Sequence, residues 1–397
     1  SDVCSSDLKV QALALTRIKR LRPPAMRQLY LATVASKLDY AAPIWWRGKY
    51  KGAVTASHIE AIQKIGSRAI TGAFRTAAGK ILEIEAGLVP TALRIQQRII
   101  KFVINLHTLP EDHPWWNIQK TIQNPKSNRT SEARKTPTRD MVIAYQRIVH
   151  RDVQQPLETI MPFVQCPTAT RNSIQYIIHE DREVAITEAK MHTAGQCRIY
   201  TDGSARKGLV GIGVTWRERD LIRRQHTGIM KQFQLEGQWN KGWQTIGTQT
   251  NTNEYVAELT AILKALEILM LHPEQRFKQP KIFTDCQAAI LSIKETRLQS
   301  GQRVLQKIWK TAAWLHQQGT TVVIRWAPAH EGIEGNERAH NAARLSTAKG
   351  VQSSSAEKPM LRSRATQCCK EYFQAEAIQA FDKKRFGKFT TDLDKAL

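Results

Sequence analysis

The chain has 397 residues and a formal net charge of +24, and 42% of its residues are hydrophobic. This length allows two or three domains with substantial cores, and the excess of positive charge favours a polyanionic partner, with nucleic acid as the first choice. No run of about 18 apolar residues occurs, which argues against a membrane-spanning helix and a membrane partner.

The first eight residues, the C-terminal tail and the cysteines indicate which parts of the chain are native and in which cellular compartment it acts. Residues 1–8, SDVCSSDL, share no pattern with the rest of the sequence and lack the apolar core of a secretory signal, so we expect a non-native leader. The tail at 350–397 is expected to be a Ser-rich linker and a helix that looks truncated. Six scattered cysteines without zinc-ligand spacing indicate reduced thiols, and hence a nuclear or cytoplasmic location.

Residues 9–117 are predicted to form a mostly α-helical domain. Helices are expected to begin near Ala25, at the capping box SHIE at 57–60, and at Thr91. The aromatic and basic residues here form either a surface that stacks bases and neutralises phosphates, or an ordinary core beneath solvated lysines and arginines. Residues 118–196 come next as a polar linker and a lead-in, with a strand-like run from Ile174.

The next segment, at 197–349, begins with two stretches that carry chemistry. In CRIYTDGS, a strand runs into Asp202, and Asp-Gly at this position taken alone predicts a turn. The second stretch is a helix beginning at Asn253, in which Glu258 lies at the edge of the apolar stripe. A carboxylate at that position is costly unless it meets a cation or hydrogen-bond donors. The stripe consists of Tyr255, Leu259, Ile262, Leu266 and Leu269.

Two further stretches occur at strand–helix spacing. KIFTD is a strand ending at Asp285, which is either the N-cap of the next helix or a site residue. An alternating strand at 321–326 then leads through a Gly-rich loop into a final helix. Between the first two stretches, a strand at 211–216 is expected to pair antiparallel with the first strand. A third strand and an irregular insertion containing Trp239 and Trp243 are expected within 221–248.

Asp202, Glu258 and Asp285 are candidates to converge at one end of the sheet. Three carboxylates that close cannot all stay ionised without a counter-charge. Mg²⁺ answers this need because it prefers oxygen ligands. Two such ions about 4 Å apart would clamp the attacking and leaving oxygens of a phosphodiester.

Four motifs in this order resemble a type 1 ribonuclease H domain of the kind found in LINE-type, non-LTR retrotransposon polyproteins. They are TDGS, TNEYVAELTAILKAL, IFTDCQAAI and IRWAPAHEGIEGNERA. The resemblance covers residues 197–349 and implies an α/β ribonuclease H-like domain with a five-stranded mixed sheet flanked by helices. It also implies that Asp202, Glu258 and Asp285 are catalytic ligands of two Mg²⁺ ions, and that His330 is the mobile-loop histidine that aids product release or proton transfer.

The sequence departs from that family at His340. The family has a fourth metal-binding aspartate at this position, one helical turn after the Asn-Glu pair. An imidazole is a poor ligand for Mg²⁺ and suits transition metals better. Either the second metal site is weakened or its preference has moved towards Mn²⁺.

Three polar residues beside the carboxylates are candidates to contact nucleic acid. An enzyme that recognises RNA–DNA hybrids must meet 2′-hydroxyls on one strand and a DNA backbone on the other. Ser204, Asn253 and Gln287 are placed to do so, although each is also explained as a helix cap or a surface group.

A second resemblance concerns the helical half. The segments at 26–46, 68–77 and 82–91 look like the thumb and connector of fungal-type LINE polyproteins, between the polymerase and the ribonuclease H domain. The polymerase motif Tyr-x-Asp-Asp is absent, and Asp39-Tyr40 does not replace it, so the expected partner is a missing polymerase domain of the same polyprotein. Two functions are then open: a metal-dependent endonuclease for the RNA strand of RNA–DNA hybrids, or a catalytically weakened or dead nucleic-acid-binding fragment.

Overall fold

A computed structural model describes residues 2–46, 53–123, 137–149, 155–161, 172–191, 196–217, 232–236, 239–271, 279–295, 297–348 and 359–380. The chain divides into two compact units. The helical unit comprises Ser1–His107, Glu111–Asp152 and Ala365–Leu397, and the α/β unit comprises Thr108–Pro110 and Val153–Arg364. The domain boundaries drawn from the sequence remain predictions.

The helical unit contains nine helices within the described residues. They are α1 (Asp2–Leu15), α2 (Pro23–Tyr30), α3 (Ser36–Leu38), α4 (Ala42–Trp45), α5 (Ala53–Thr71), α6 (Gly79–Glu85), α7 (Thr91–Leu106), α8 (Trp115–Gln123) and α9 (Pro137–Val149). A π-helical turn, Leu31–Ala35, joins α2 to α3. The prediction that a helix begins at the capping box SHIE was wrong, since α5 already starts at Ala53. Two alanines, Ala53 and Ala56, favour the extension despite the β-branched Val54 and Thr55 between them, and packing of Ile59 and Ile62 stabilises the longer helix.

A buried polar cluster crosses the core of the helical unit. Asp39 is 4% exposed, and its carboxylate accepts hydrogen bonds from Nε of Arg94 at 3.1 Å and Nε of Arg98 at 2.6 Å. Arg94 also donates to Gln63 at 2.5 Å. Because both arginines neutralise Asp39, this residue has a structural role in joining α3 to α7.

The α/β unit is built on one mixed sheet of seven strands. They are β1 (Ile174–Ile177), β2 (Arg198–Arg206), β3 (Leu209–Arg217), β4 (Gln232–Glu236), β5 (Trp239–Thr248), β6 (Lys281–Thr284) and β7 (Val322–Trp326). Their order is β1-β7-β6-β2-β3-β5-β4. Strands β2 to β5 pair antiparallel, whereas β6 is parallel to β2 and β7, and β1 is parallel to β7. The mixed sheet is therefore as expected, with seven strands in place of five.

One strand differs from the expectations, and another was expected only as a strand-like run. Trp239 and Trp243 lie in β5, a ten-residue strand paired with both β3 and β4, so the predicted irregular insertion was wrong at these residues; the pairing of β5 with β3 shifts register near Ile246. The strand-like run that begins at Ile174, before the segment 197–349, forms β1, which pairs with β7 over four residues. Both strands depend on partners far away in the chain, which local sequence patterns do not report.

Within the described residues, five helices complete the α/β unit. They are α10 (Arg182–Lys190), α11 (Glu254–Met270), α12 (Gln287–Lys294), α13 (Gln302–Gln317) and α14 (Glu334–Leu345). A further helix, α15 (Arg362–Ala380), begins in this unit and belongs to the helical unit from Ala365 onward. Helix α11 packs on β2 at Gly203, where an added Cβ would lie 2.8 Å from the backbone nitrogen of Glu258. Helix α14 covers the opposite face at Gly213, where a Cβ would lie 2.2 Å from the carbonyl oxygen of Ala339.

No helix among the described residues is both long enough and apolar enough to cross a bilayer.

Candidate active site

The three predicted carboxylates come from three different elements. Asp202 lies in β2, Glu258 in the second turn of α11, and Asp285 directly after β6. Thr201 pairs with Thr284 in parallel register, so the two aspartates that come after them lie at the same level. One oxygen from each of the three carboxylates lies within 4.8 Å of the others. The fold thus brings together residues that are up to 83 positions apart in the chain, from Asp202 to Asp285.

Glu258 is held by the backbone at the close approach of α11 to β2. Its side chain is buried, and Oε1 accepts a hydrogen bond from the backbone N–H of Gly203 at 2.8 Å. The hydroxyl of Thr284 donates to Oε2 at 3.4 Å. Burial, together with the charges of Asp202 and Asp285, raises the pKa of Glu258 well above its ordinary value.

Asp285 is not a helix cap. The N-cap of α12 is Cys286, and the backbone N–H of Cys286 donates to the hydroxyl of Thr284. Burial is the main cause that raises the pKa of Asp285 to about 6, with the charge of Asp202 acting in the same direction. A hydrogen bond from Asn336 opposes this rise.

Asp202 and His340 contact each other across the cluster. Asp202 is 3% exposed, and its Oδ2 receives no well-aligned hydrogen bond. Nδ1 of His340 on α14 lies 3.3 Å from this oxygen. The interaction with Asp202 is the main cause of the raised pKa of His340. His340 therefore lies at the edge of the carboxylate cluster.

His330 lies in the loop between β7 and α14. It is exposed and has a left-handed backbone with φ of 59°, and its ring centroid is 5.7 Å from that of His340. The neighbouring Glu331 is bound by Nε of Arg182 at 2.9 Å. The loop is thus attached to α10 at one residue while His330 faces solvent beside the cluster.

The three candidate nucleic-acid contacts have different environments. Ser204 is buried on β2, two residues beyond Asp202 and on the same face of the strand. Asn253 caps α11 through its Oδ1, and its Nδ2 donates to Oγ of Ser363 at 3.2 Å. Gln287 is exposed at the start of α12. Only Gln287 is fully open to solvent, and Asn253 already uses both ends of its amide.

The donor set fits a hard divalent cation. The three closely spaced carboxylates offer only oxygen atoms, and the buried Oδ2 of Asp202 lacks a well-aligned donor. Mg²⁺ prefers such ligands, and a cation would offset the like charges that raise the pKa values of Glu258 and Asp285. Asp202, Glu258 and Asp285 are therefore the residues that would hold it.

Two residues that support the carboxylates were not predicted from the sequence. Asn336 is 4% exposed in the first turn of α14 and hydrogen-bonds Asp285, and Thr284 hydrogen-bonds Glu258. Asn336 stands in the motif GNERA and Thr284 directly precedes Asp285, so both were visible in the sequence. Their roles depend on which elements the fold brings together.

Comparisons with known proteins find similarity over part of the chain. No curated protein matches the chain. Among solved structures, RNase H1 from the halophilic archaeon Halobacterium salinarum is 20% identical, with a TM-score of 0.26, covering 38% of this chain and 98% of that one. An RNase H domain from Mycobacterium tuberculosis, solved as a fusion with maltose binding protein, is 16% identical, with a TM-score of 0.26 and coverage of 38% and 97%.

LC11-RNase H1, solved in complex with an RNA/DNA hybrid, is 20% identical, with a TM-score of 0.27 and coverage of 38% and 99%. The model of the RNase H family matches residues 194–348. This segment contains β2 to β7, the carboxylate cluster and α14. The α/β unit has the ribonuclease H-like fold, and residues 194–348 are similar to the RNase H family.

Proposed function

We propose that the chain is a metal-dependent endoribonuclease that hydrolyses the RNA strand of RNA–DNA hybrids. The observation that carries this proposal is the cluster of Asp202, Glu258 and Asp285, with three oxygen donors within 4.8 Å between the middle of β2 and the end of β6. Buried like charges at such a site are typical of a functional centre and costly in a purely structural one.

Each side chain has a distinct part in this proposal. Asp202, Glu258 and Asp285 hold the metal, which we assign as Mg²⁺, with Mn²⁺ as the alternative. When bound, a divalent cation stabilises charge that develops on a phosphoryl oxygen. Asn336 orients Asp285, and Gly203 and Thr284 orient Glu258. His330, on its exposed loop, is placed to exchange protons with solvent beside the cluster.

A basic pocket at the end of β2, on the same side of the sheet as the cluster, supports binding of a polyanion. It has a volume of about 360 Å³, and its lining includes Arg206, Lys207 and Arg344 but no carboxylate. Arg344 lies one helical turn after His340, so the pocket and the carboxylates lie along the same side of α14. Ser204 and Gln287 flank the cluster as further proposed contacts, whereas Asn253 acts first as a helix cap.

We infer further that the chain is part of a retrotransposon reverse transcriptase. The motifs of the helical half carry this inference, with a thumb- and connector-like role and a separate polymerase domain as partner. Such a protein acts in the nucleus or the cytoplasm.

A second candidate function rests on His340. A neutral imidazole in place of a fourth carboxylate removes one negative charge beside Asp202, which weakens Mg²⁺ binding. In that case the chain binds nucleic acid but cleaves it weakly or not at all.

A cleavage assay on a labelled RNA–DNA hybrid separates the two functions. Wild type is compared with Asp285→Asn and with a control, Asp112→Asn, that alters an exposed loop aspartate. We expect Mg²⁺- or Mn²⁺-dependent cleavage by wild type and the control, and none by Asp285→Asn, with hybrid affinity unchanged. Cleavage by Asp285→Asn at the wild-type rate would refute the metal site. Tight binding without cleavage by wild type in either metal would favour the second function.

A further inference from the structure

A second cavity lies on the same sheet face as Asp202, at the other end of β2. It has a volume of about 130 Å³ and lies between the end of α10, the start of β2 and the start of α14. Its charged lining residues are Lys190, Arg198, Arg217 and Glu334. Since Arg198 and Asp202 are four residues apart on one strand, about 13 Å separates this cavity from the carboxylate cluster. It is therefore a separate site.

Arg198 is a buried cation without an anion. It is 3% exposed, and it donates to two backbone carbonyls in the last turn of α10, those of Ala189 at 3.2 Å and Glu188 at 2.9 Å, and to the hydroxyl of Tyr200 at 3.5 Å. The partial negative charge of the helix C-terminus offsets the charge of Arg198 only in part. Its guanidinium lies 5.2 Å from the centroid of the Phe283 ring, and its Nε–H has no acceptor. Within the described part of the chain, no carboxylate forms an ion pair with it. A buried charge in such surroundings is strongly unfavourable unless a counter-ion joins it.

The other cations of the cavity are also incompletely neutralised. Arg217 lies over the Trp239 ring, and its Nε–H has no acceptor. Its Nη2 meets Glu334 at 3.4 Å, but Glu334 also accepts from Nε of Arg338 at 3.1 Å, so one negative charge serves two arginines. Three cations and one shared carboxylate leave the cavity positively charged.

The start of α14 adds backbone donors to the same cavity. Its N-cap, Ile333, provides no side-chain cap, and Ile333, Glu334 and Gly335 line the cavity. The first N–H groups of a helix have no partner within the helix, and they attract negative charge. Donors of two kinds, guanidinium and backbone N–H, thus border one cavity.

We propose that this cavity, the Arg198 pocket, binds a tetrahedral oxyanion, namely a phosphate group. Phosphate accepts several hydrogen bonds and carries the negative charge that Arg198 lacks, and arginine forks and helix N-termini are its usual partners in proteins. The group is either inorganic phosphate or a backbone phosphate of bound nucleic acid. Only the second source rests on the proposed function.

The thermal unfolding temperature of the full chain tests the pocket without nucleic acid. Inorganic phosphate is titrated against chloride at matched ionic strength. We expect a saturable, phosphate-specific rise of about 3 °C at a tenfold excess over Kd. Arg198→Met should abolish this rise, and Arg198→Lys, which keeps the charge but not the fork, should weaken it. Lys310→Met, which removes an exposed lysine on α13, should leave it unchanged.

A second variant keeps the test decisive if Arg198→Met does not fold. Arg217→Met alters a partly exposed residue at the rim of the pocket and should weaken the phosphate response at least fivefold in Kd. The proposal is overturned if wild type shows no phosphate-specific rise, or if the rise is the same in the folded variants of Arg198 and Arg217.

Competition with a labelled RNA–DNA hybrid identifies the source of the phosphate group. If phosphate displaces the hybrid from wild type but not from Arg217→Met, the pocket holds a backbone phosphate. If phosphate raises the unfolding temperature and leaves hybrid affinity unchanged, the pocket holds the free ion. Because the thermal measurement contains no hybrid and needs no cleavage, it stands or fails independently of the proposed nuclease activity.

Discussion

Asp285 and Glu258 bind protons more tightly in the folded protein than ordinary carboxylic acids do. Burial is the largest cause for both, and neighbouring carboxylates add to it. The metal-free folded state therefore retains protons that the unfolded chain releases as the pH rises. At neutral pH, the ionised carboxylates that suit metal binding therefore lower the free energy of unfolding of the metal-free protein.

We expect this cost to appear as a pH-dependent difference in the free energy of unfolding between wild type and Asp285→Asn. A pKa raised from 3.8 to about 6 gives stability that is fully present below about pH 4 and is lost as the pH rises through about 6. For Asp285 the loss amounts to at most about 3 kcal/mol. Asn cannot ionise, so the stability of the variant relative to wild type should increase between pH 4 and pH 7.

Urea unfolding at several pH values, with chelator present, measures this difference. Added Mg²⁺ should stabilise wild type at pH 7 and not the variant. A difference in unfolding free energy that does not change with pH would contradict the assigned environment of Asp285.

We expect His340→Asp to strengthen Mg²⁺-dependent cleavage. A carboxylate beside Asp202 restores a negative charge at the metal cluster, so the Mg²⁺ concentration for half-maximal rate should fall by about tenfold. Mn²⁺, which accepts nitrogen ligands more readily, should partly rescue wild type.

The measurement is the rate of hybrid cleavage against metal concentration, with the exposed His316→Asp as a matched control. If His340→Asp leaves both the rate and the metal requirement unchanged, His340 does not limit the metal site.

The sequence predicted the candidate site residues better than their surroundings. Each carboxylate stands in a local motif, so Asp202, Glu258 and Asp285 were identified without knowledge of the fold. Asn336 and the rejection of Asp285 as an N-cap were not predictable, because both depend on how α14 and α12 pack against β6. The roles of all these residues in catalysis remain predictions.

At the scale of elements, a single buried carboxylate joins two helix N-termini beside α11. Glu158 is 7% exposed and accepts the backbone N–H of Gly301, before α13, and of Arg362, at the start of α15, each at 2.8 Å. Ser363 then meets the amide of Asn253, the cap of α11. The helix that bears Glu258 is thus supported at its first residue by a segment from outside residues 194–348.

We expect Glu158→Ala to destabilise the protein by about 2–4 kcal/mol, because two largely buried N–H groups lose their acceptor. Glu158→Gln, which keeps one acceptor, should cost about half as much. Chemical denaturation checks both values against Glu180→Ala, which removes an exposed carboxylate. Equal stability of all three variants would show that Glu158 does not hold these helix ends.

Elements were predictable from the sequence where local pattern and packing agree. Helix α11 has a strong apolar periodicity, and β6 and β7 are short runs with clear ends, so all three were found. The start of β2 was found too, but Asp202 and Gly203 continue the strand to Arg206 and do not form the turn that Asp-Gly predicts. The strand-like run from Ile174 contains β1. Strands β4 and β5 were misplaced, because strand pairing decides them more than composition does.

At the scale of the whole molecule, positive charge on the helical unit predicts a share in nucleic-acid binding. Lys19, Arg20 and Arg22 are exposed in one short segment. Replacing all three with Gln should reduce the slope of log affinity against log salt by up to about 2.7, since each phosphate contact on duplex DNA contributes about 0.9.

Affinity for a hybrid at several salt concentrations gives this slope. Replacing Arg206, Lys207 and Arg344 with Gln provides the comparison on the α/β unit. An unchanged slope for the first variant, with a reduced slope for the second, would show that this segment of the helical unit does not contact the nucleic acid.

The pairing of β1 with β7 has a practical consequence for where the part of the chain that matches the family can be cut. A protein that begins at residue 194 keeps every residue of the family match but removes β1, so the buried apolar strand β7 replaces the partly exposed β1 as the edge of the sheet. Long apolar edge strands recruit strands from other molecules. Such a truncated protein should dimerise or aggregate at concentrations where one beginning at residue 172 stays monomeric, which light scattering distinguishes. We therefore expect the four residues of β1 to keep copies of the chain apart.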